Sequence, residues 1–236
     1  MDTSLLIQLN PTAKIVSTKK LFYDRYAYKI KIYAPASTSL RYEAVRDYDA
    51  YIKRMIFNEE QFCIIRGFKS SDKSEDLKNA NPSQLVNLKK LVDENKDIIK
   101  FRTEEPNFIL YSNDVALLER VIAEYATHII DVTLPNDENH LKLLNEGNLI
   151  KNELNEFRYK FILGNFYNMK NKSQLMNIIT SAGDDVHVTY GTLKNISSGY
   201  SYGGYMYAKD NSIAMLFNMI QPGFVKKIYN MVSLSE

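Results

Sequence analysis

The alternation of apolar and polar residues along the chain predicts a series of short strands and amphipathic helices. Apolar residues at every second position are typical of half-buried strands, and spacings of three and four residues are typical of helices with one buried face. Residues 1–20 are expected to be irregular or weakly extended. The pattern predicts strands at 21–33, 62–68, 98–103, 107–111, 129–134, 157–163, 186–193, 202–208 and 224–232. It predicts helices at 41–58, from 82 onward, and at 114–126, 138–146, 172–181 and 211–220.

Part of this pattern occurs twice. Residues 108–134 align on residues 205–231 without a gap, and each copy reads as a strand, a polar helix start, an apolar helix and a closing strand. The alignment pairs Phe108 with Tyr205, Leu110 with Tyr207, Leu118 with Met215 and Ile122 with Met219. Upstream, residues 26–30 match residues 157–161. Because strand and helix spacings are both preserved, the match predicts an internal duplication.

The predicted elements of each copy fit the order βαββαβ. This order is the ferredoxin-like arrangement, in which two helices cover one face of a four-stranded antiparallel sheet. The predicted fold class is therefore α+β, with two tandem ferredoxin-like units. We expect the first unit at 1–136, with an inserted loop and helix at about 69–97, a linker at 137–153, and the second unit at 154–236.

Composition restricts the class of protein. The chain has 236 residues, of which 45% are hydrophobic and 25% charged, as in a soluble globular protein. The net charge of +2 indicates no strong electrostatic partner, so any phosphate-binding patch must be local. The single cysteine, Cys63, excludes an intramolecular disulfide and a cysteine-based zinc site, and its apolar neighbours indicate a buried thiol.

The sequence also bears on location and source. No apolar run is long enough to cross a membrane, and the N-terminal residues lack the layout of a signal peptide. We therefore expect no membrane partner and a cytoplasmic protein, in the host cytoplasm if it is viral. Abundant Tyr, Lys, Asn and Ile without Trp indicate an AT-rich genome, as in a bacterium or a phage.

The second unit resembles an RNA-recognition motif over residues 155–236. Phe161-Ile162-Leu163-Gly164-Asn165-Phe166 is similar to the first-strand signature of that family, and Gly203-Gly204-Tyr205-Met206-Tyr207 to the third-strand signature. The resemblance implies that aromatics on these two strands stack bases on an open sheet face. The chain departs from the family pattern by one extra residue before Gly164, by the lack of a basic residue ahead of Gly203, and by Ala208 in place of the last aromatic.

The first unit combines tyrosines with interleaved cations at 23–33, the pairing that single-strand binders use for bases and phosphates. The same pattern is also typical of a solvated strand face, and the tyrosines of the second unit fit ordinary sheet packing as well. The candidate nucleic-acid-binding residues are Arg25, Tyr26, Tyr28, Lys29 and Lys31 in the first unit, and Arg158, Lys160, Phe161, Tyr202, Tyr205 and Tyr207 in the second.

Two catalytic alternatives remain open at this level. Gly183-Asp184-Asp185 resembles the metal-binding turn of viral RNA-dependent RNA polymerases, which makes Asp184 and Asp185 weak metal candidates; the other interpretation is a helix cap and turn. His187, with Tyr190 and Lys194, could serve a metal-independent endoribonuclease, as in the tandem ferredoxin-like enzymes that process CRISPR repeats.

The sequence contains no phosphate loop, dinucleotide fingerprint, nucleophile elbow or zinc-protease motif, so we expect no cofactor. A binding module is the leading interpretation. The predicted function is binding of single-stranded nucleic acid, RNA rather than DNA, by sheet-face tyrosines and lysines. The alternatives are the endoribonuclease and a viral or phage assembly or protein-interaction module, since aromatics are also enriched in protein interfaces.

Overall fold

The computed structural model describes residues 1–41, 48, 50–52, 80–104 and 106–234. The chain divides into two units, Met1–Asn136 and Asp137–Glu236. Each unit contains one five-stranded mixed sheet with helices between the strands. The chain is therefore an α+β protein of two tandem ferredoxin-like units, as the sequence predicts.

The first unit, unit 1, has the strand order β1-β5-β2-β4-β3. All neighbouring strands are antiparallel except β1 and β5, which are parallel. The elements are α1 (Ser4–Leu9), β1 (Lys14–Ser17), β2 (Tyr28–Tyr33), a 3-10 turn (Ser37–Arg41), α2 (Pro82–Glu94), β3 (Ile99–Glu104), β4 (Asn107–Ser112), α3 (Val115–Tyr125) and β5 (Ile129–Leu134).

The second unit, unit 2, repeats this topology with the strand order β6-β10-β7-β9-β8. Here β6 is parallel to β10, and the other neighbours are antiparallel. The elements are α4 (Glu138–Asn145), β6 (Leu149–Lys151), β7 (Tyr159–Leu163), α5 (Lys172–Ala182), β8 (Val186–Val188), α6 (Tyr190–Ser197), β9 (Tyr205–Ala208), α7 (Ser212–Ile220) and β10 (Val225–Ser233). Each sheet thus adds one parallel edge strand to the four-stranded antiparallel arrangement that the sequence predicts.

Polar side chains fix several helix starts. Asn81 accepts a hydrogen bond from the Gln84 N–H at 3.2 Å, and Pro82 follows it at the first helical position. Asp114 accepts from the Leu117 N–H at 2.9 Å in the same way. Each side chain satisfies a backbone donor that lacks a partner within the helix, which explains why these starts were predictable.

Each core lies between the sheet and its helices. In unit 1, Ile30, Ile32 and Leu110 are fully buried on the side of the sheet that faces the helices. In unit 2, Phe161 and Met206 occupy the same side and pack in one cluster with residues of α5, α6 and α7. Because side chains alternate along a strand, the intervening residues form the opposite face, which we call the open face.

The strand pairing supports the duplication but corrects its register by one residue. Opposite Ile30 of β2 lies Leu110, and opposite Phe161 of β7 lies Met206. Leu110 is therefore equivalent to Met206, and not to Tyr207 as the gapless alignment predicts. The turn between strand and helix has two residues in unit 1, at 113–114, and three in unit 2, at 209–211. Because of this extra residue, the gapless alignment matches the two helix starts correctly. In the strands it pairs residues that lie on opposite faces of their sheets.

A shared irregularity strengthens the equivalence of the two sheets. Where β2 pairs with β5, Lys31 lies opposite Asp131 and Ile32 opposite Ile129, so Ile130 of β5 is skipped. At the equivalent place in unit 2, where β7 pairs with β10, Lys226 of β10 is skipped. A bulge at the same position of both sheets is expected if the two units descend from one ancestor, since bulges are kept within families.

Several predicted elements are corrected. The lead-in at 1–20 contains α1 and β1, and the predicted strand 21–33 begins only at Tyr28. The predicted linker 137–153 holds α4 and β6, and β6 pairs with β10, so these residues are part of unit 2. The predicted strand 186–193 ends at Val188, because Thr189 caps α6 by accepting from the Thr192 N–H.

The region around the predicted insertion is described only in part. The helix α2, predicted within an insertion at about 69–97, stands directly before β3, as α5 stands directly before β8. It is therefore a regular helix of the unit. Residues 48 and 50–52 are helical, in agreement with the predicted helix 41–58. The rest of that helix, the predicted strand 62–68 and Cys63 lie outside the described residues.

Candidate nucleic-acid interface

The open face of unit 2 carries aromatic and cationic side chains from neighbouring strands. Lys160 of β7 lies opposite Tyr207 of β9 on one side and opposite Tyr229 of β10 on the other. His187 of the edge strand β8 lies opposite Tyr207 in turn. Residues opposite one another share a face, so the strand pairing alone brings these four side chains into one row across the sheet.

Tyr207 of this row is the centre of an aromatic surface that also includes Tyr205, His187 and Phe157. The Tyr207 ring centre lies 5.6 Å from that of Tyr205, 6.3 Å from that of His187 and 6.4 Å from that of Phe157. Phe157 precedes β7 and its ring centre lies 5.9 Å from that of His187. Tyr205, Tyr207 and Phe157 are half-buried and His187 is exposed, so solvent reaches the surface of the cluster.

Lysines lie against this aromatic surface. The Lys160 Nζ is 4.2 Å from the Tyr205 ring centre and 5.7 Å from that of Tyr207. The Lys151 Nζ is also 5.7 Å from the Tyr207 ring centre, and the Lys227 Nζ is 4.6 Å from that of Tyr229. Cation–π attraction holds each ammonium over a ring while its charge remains near the surface. Aromatic rings and positive charges therefore alternate over the face.

A cleft opens beside the aromatic surface. Its volume is about 300 Å³, and it lies between the segment that leads into β7 and the strands β8, β9 and β10. The lining residues are Lys151, Glu153, Leu154, Asn155, Phe157, His187, Tyr207 and Met231. Burial raises the pKa of Tyr207, and the neighbouring Tyr205 adds to this effect. The Tyr207 phenol is therefore neutral at physiological pH and able to donate a hydrogen bond.

The strands of unit 2 contain no acidic residue. Lysines occur at 151, 160, 226 and 227, whereas Asp and Glu are absent from β6 to β10. Carboxylates lie at the end of the sheet, where the Lys209 Nζ is 2.9 Å from Glu156 and 3.5 Å from Asp185. These carboxylates raise the pKa of Lys209. The sheet face itself is thus positive and aromatic, which suits an anionic ligand with flat rings.

The open face of unit 1 is covered by the protein's own chain. Residues 18–27, which we call the cover segment, connect β1 to β2 and place Phe22 and Tyr23 on Tyr111 of β4. The ring centres of Phe22 and Tyr23 lie 5.2 Å and 5.1 Å from that of Tyr111. Tyr26 completes a buried cluster with Tyr111 and Ile109. This burial raises the pKa of Tyr111 to about 12.

The unit 1 candidates therefore divide into buried and exposed residues. Tyr26 belongs to the cover segment and is buried against the sheet, and Tyr28 faces the core, so neither is available for base stacking. Lys29 is paired with Asp131 at 2.7 Å, and Lys31 lies opposite the same aspartate. Arg25 is exposed, stacks on Tyr26 at 5.1 Å and donates to the Asp97 carbonyl oxygen at 3.4 Å.

The unit 2 candidates are placed more favourably. Tyr205, Tyr207 and Lys160 lie together on the open face, as predicted. Arg158 is exposed beside β7, and Tyr202 is exposed in the turn before β9. Phe161, however, faces the helices and is fully buried, so it cannot stack a base as the family resemblance implies.

The glycine of the first-strand signature has a structural role. A Cβ atom on Gly164 would lie 2.4 Å from the carbonyl oxygen of Gly223 and 2.7 Å from the Phe166 ring. No side chain fits in this space. The glycine at 164 is therefore explained by packing between β7 and the turn before β10, independently of any ligand.

The structure separates the catalytic candidates. His187 lies on the open face, whereas Lys194 and Tyr190 are exposed on α6, which packs in the helix layer on the other side. Gly183, with φ of +51°, ends α5 and Asp184-Asp185 form a 3-10 turn, which confirms the cap-and-turn interpretation. Among the described residues, no three His, Cys, Asp or Glu side chains are grouped closely enough to hold a metal ion.

Several residues of the unit 2 face were not predicted from the sequence. Phe157, Lys227 and the buried Tyr229 all contribute, and His187 belongs to the aromatic surface. Phe157 carried a usable signal, since it matches Tyr26 in the short repeat. Lys227 and Tyr229 reach the face beyond the bulge at Lys226, which a regular alternation does not reveal.

No family model, curated protein or solved structure matches this chain. Its membership of a class therefore rests on the fold, which is that of an α+β protein with two ferredoxin-like units. Among the described residues, none of the helices combines the length and the apolar character that crossing a membrane requires.

Proposed function

We propose that this protein binds single-stranded nucleic acid through the open face of unit 2. The observation that carries the proposal is that the half-buried rings of Tyr205 and Tyr207 lie against lysines on the open face, in a sheet whose strands contain no acidic residue. Aromatic rings stack bases of any sequence, and lysines neutralise the phosphates between them. A duplex keeps its bases stacked and paired, so a flat aromatic face favours a single strand.

RNA is the proposed ligand in preference to DNA. This preference rests on the resemblance of residues 155–236 to an RNA-recognition motif, in which sheet-face aromatics stack unpaired bases. The face of this protein supplies Tyr205 and Tyr207 for that role, with Phe157 and His187 in place of an aromatic on the first strand. RNA differs from DNA by its 2′-hydroxyl, so parallel measurements with RNA and DNA of one sequence test the preference directly.

The direct test is the salt dependence of binding to a fluorescently labelled single-stranded RNA, followed by anisotropy. Each phosphate contact to a single strand contributes a slope of about −0.7 to log K against log salt. Contacts by Lys151, Lys160 and Lys227 predict a total slope of about −2. Absence of binding at low salt, or affinity that does not change with salt, would contradict the proposal.

A matched pair of variants assigns the salt dependence to the face. Lys160→Gln is expected to reduce the slope by about 0.7. Lys90→Gln is the control, because Lys90 is exposed on α2 of unit 1 and outside the proposed face. Equal losses in both variants would show that binding follows the overall charge of the protein and not the unit 2 face.

A further inference from the structure

The cover segment of unit 1 fills a position that is empty in unit 2. Tyr23 stands edge-on to Tyr111 at 5.1 Å between ring centres, and the Lys100 Nζ lies 4.0 Å from the Tyr23 ring centre. Tyr23 and Asp24 both have left-handed backbones, with φ of 54° and 58°. Aspartate tolerates such an angle, but it is unfavourable for a tyrosine, so the contact of the Tyr23 ring with Tyr111 stabilises a strained backbone.

The strand pairing identifies the equivalent position in unit 2. Lys100 lies opposite Tyr111 across β3 and β4, and His187 lies opposite Tyr207 across β8 and β9. The connection that would cover this position is shorter in unit 2, with seven residues at 152–158 against ten at 18–27 in unit 1. It delivers Phe157 beside Tyr207, and the remaining space is the cleft of about 300 Å³.

We infer that this cleft holds one unstacked base of the bound strand, in the place that the Tyr23 ring takes in unit 1. The inference rests on the proposed function and adds to it a specific subsite. Tyr207 and His187 offer the ring surface, and Phe157 forms the wall. The volume is at the lower end of the range for small-ligand sites, which suits a single nucleotide.

Polar groups at the rim match the rest of a nucleotide. Glu153 and Asn155 line the cleft, and a carboxylate there accepts hydrogen bonds from base N–H groups or ribose hydroxyls. Asn155 already uses its Oδ1 to accept from the Phe157 N–H at 3.1 Å, which orients its amide nitrogen as a donor for the ligand. Lys151 supplies the charge for an adjacent phosphate.

The experiment uses the full chain and an oligouridine that contains one internal 2-aminopurine, together with its DNA counterpart. The fluorescence of 2-aminopurine falls when its ring stacks, and the chain has no Trp that would interfere. We expect quenching on saturation with protein. His187→Ala and Phe157→Ala should each relieve the quenching and weaken binding by about five- to a hundredfold. Equal quenching and equal affinity for the DNA counterpart would show that the subsite recognises the base and not the ribose 2′-hydroxyl.

Controls and outcomes separate the subsite from the proposed function. Tyr190→Ala is the control for loss of an exposed aromatic ring, since Tyr190 is 80% exposed on α6. His187 is exposed, so His187→Ala remains informative if Phe157→Ala fails to fold. Salt-dependent binding without quenching, or quenching that both variants leave unchanged, overturns the base subsite alone. Absence of any binding at low salt overturns the proposed function as well.

Discussion

In unit 1 the open sheet face lies beneath the protein's own residues 18–27, whereas in unit 2 the equivalent face reaches solvent around Tyr205 and Tyr207. The two sheets share strand order, strand directions and a bulge at the same place. What differs is the length of one connection and the side chains on one face. A duplicated fold can thus keep its core in both copies while only one copy retains an accessible surface.

The charged residues on the open faces of the two units also differ. Asp131 of β5 pairs with Lys29 in unit 1, and the strand register makes Lys227 of β10 its equivalent in unit 2. Likewise Tyr229 takes the place of Thr133 beside the central lysine. At these two positions unit 1 has an aspartate and a threonine, whereas unit 2 has a second lysine and the buried ring of Tyr229. This contrast is why we assign nucleic-acid binding to unit 2.

The largest expected effect separates core from face within unit 2. Phe161→Ala should lower the free energy of unfolding by about 3–5 kcal/mol, because a fully buried ring is lost from the core. Urea denaturation measures this change. Ile162→Ala, at the neighbouring half-buried position on the open face, is the control and should cost much less. Unchanged stability with lost RNA binding would mean that Phe161 faces the ligand, as the family resemblance implies.

The second prediction compares equivalent tyrosines. Tyr111→Ala should lower the free energy of unfolding by about 3 kcal/mol without changing RNA affinity, because Tyr111 is buried under Phe22 and Tyr23. Tyr207→Ala should reduce RNA binding by about 1–3 kcal/mol, the usual contribution of one base-stacking ring. Denaturation and anisotropy on both variants check the pair. Equal losses of RNA affinity would remove the distinction between the two faces.

A smaller effect is expected in alkaline solution. Burial raises the pKa of Tyr111 from 10.0 to about 12, so the unfolded chain loses this proton first as the pH rises. The associated stability is complete below pH 10 and is lost as the pH rises towards about 12. Tyr111→Phe should therefore flatten the fall of unfolding free energy over this range. An unchanged slope would show that the cover segment leaves the Tyr111 hydroxyl solvated.

The sequence predicts most elements because their signals are local. Helix starts follow from Asn81-Pro82 and Asp114, and strands follow from alternation at 28–33 and 129–134. The residue pattern does not predict the edge strands β1 and β6, because β1 is largely exposed and β6 has only three residues. The pairing of each with a distant strand of its own unit, and not its own residue pattern, defines it.

The candidate site is harder to predict, because it depends on single-residue offsets and on what covers a face. Residues 21–33 alternate throughout, yet the left-handed pair Tyr23-Asp24 folds the first half back over the sheet. Aspartate tolerates such backbone angles, but tyrosine is not among the residues that usually signal such a turn. The one-residue difference between the turns 113–114 and 209–211 likewise decides which rings of unit 2 lie on the open face.

The most direct test of the account is photochemical cross-linking of the full chain to single-stranded RNA that contains 4-thiouridine, with the cross-linked residues identified by mass spectrometry. We expect cross-links at Phe157, His187, Tyr205 and Tyr207 on the unit 2 face. The buried residues Tyr26 and Tyr111 of unit 1 should remain unmodified. Cross-links concentrated in unit 1, with none on the unit 2 face, would contradict the assignment of binding to unit 2.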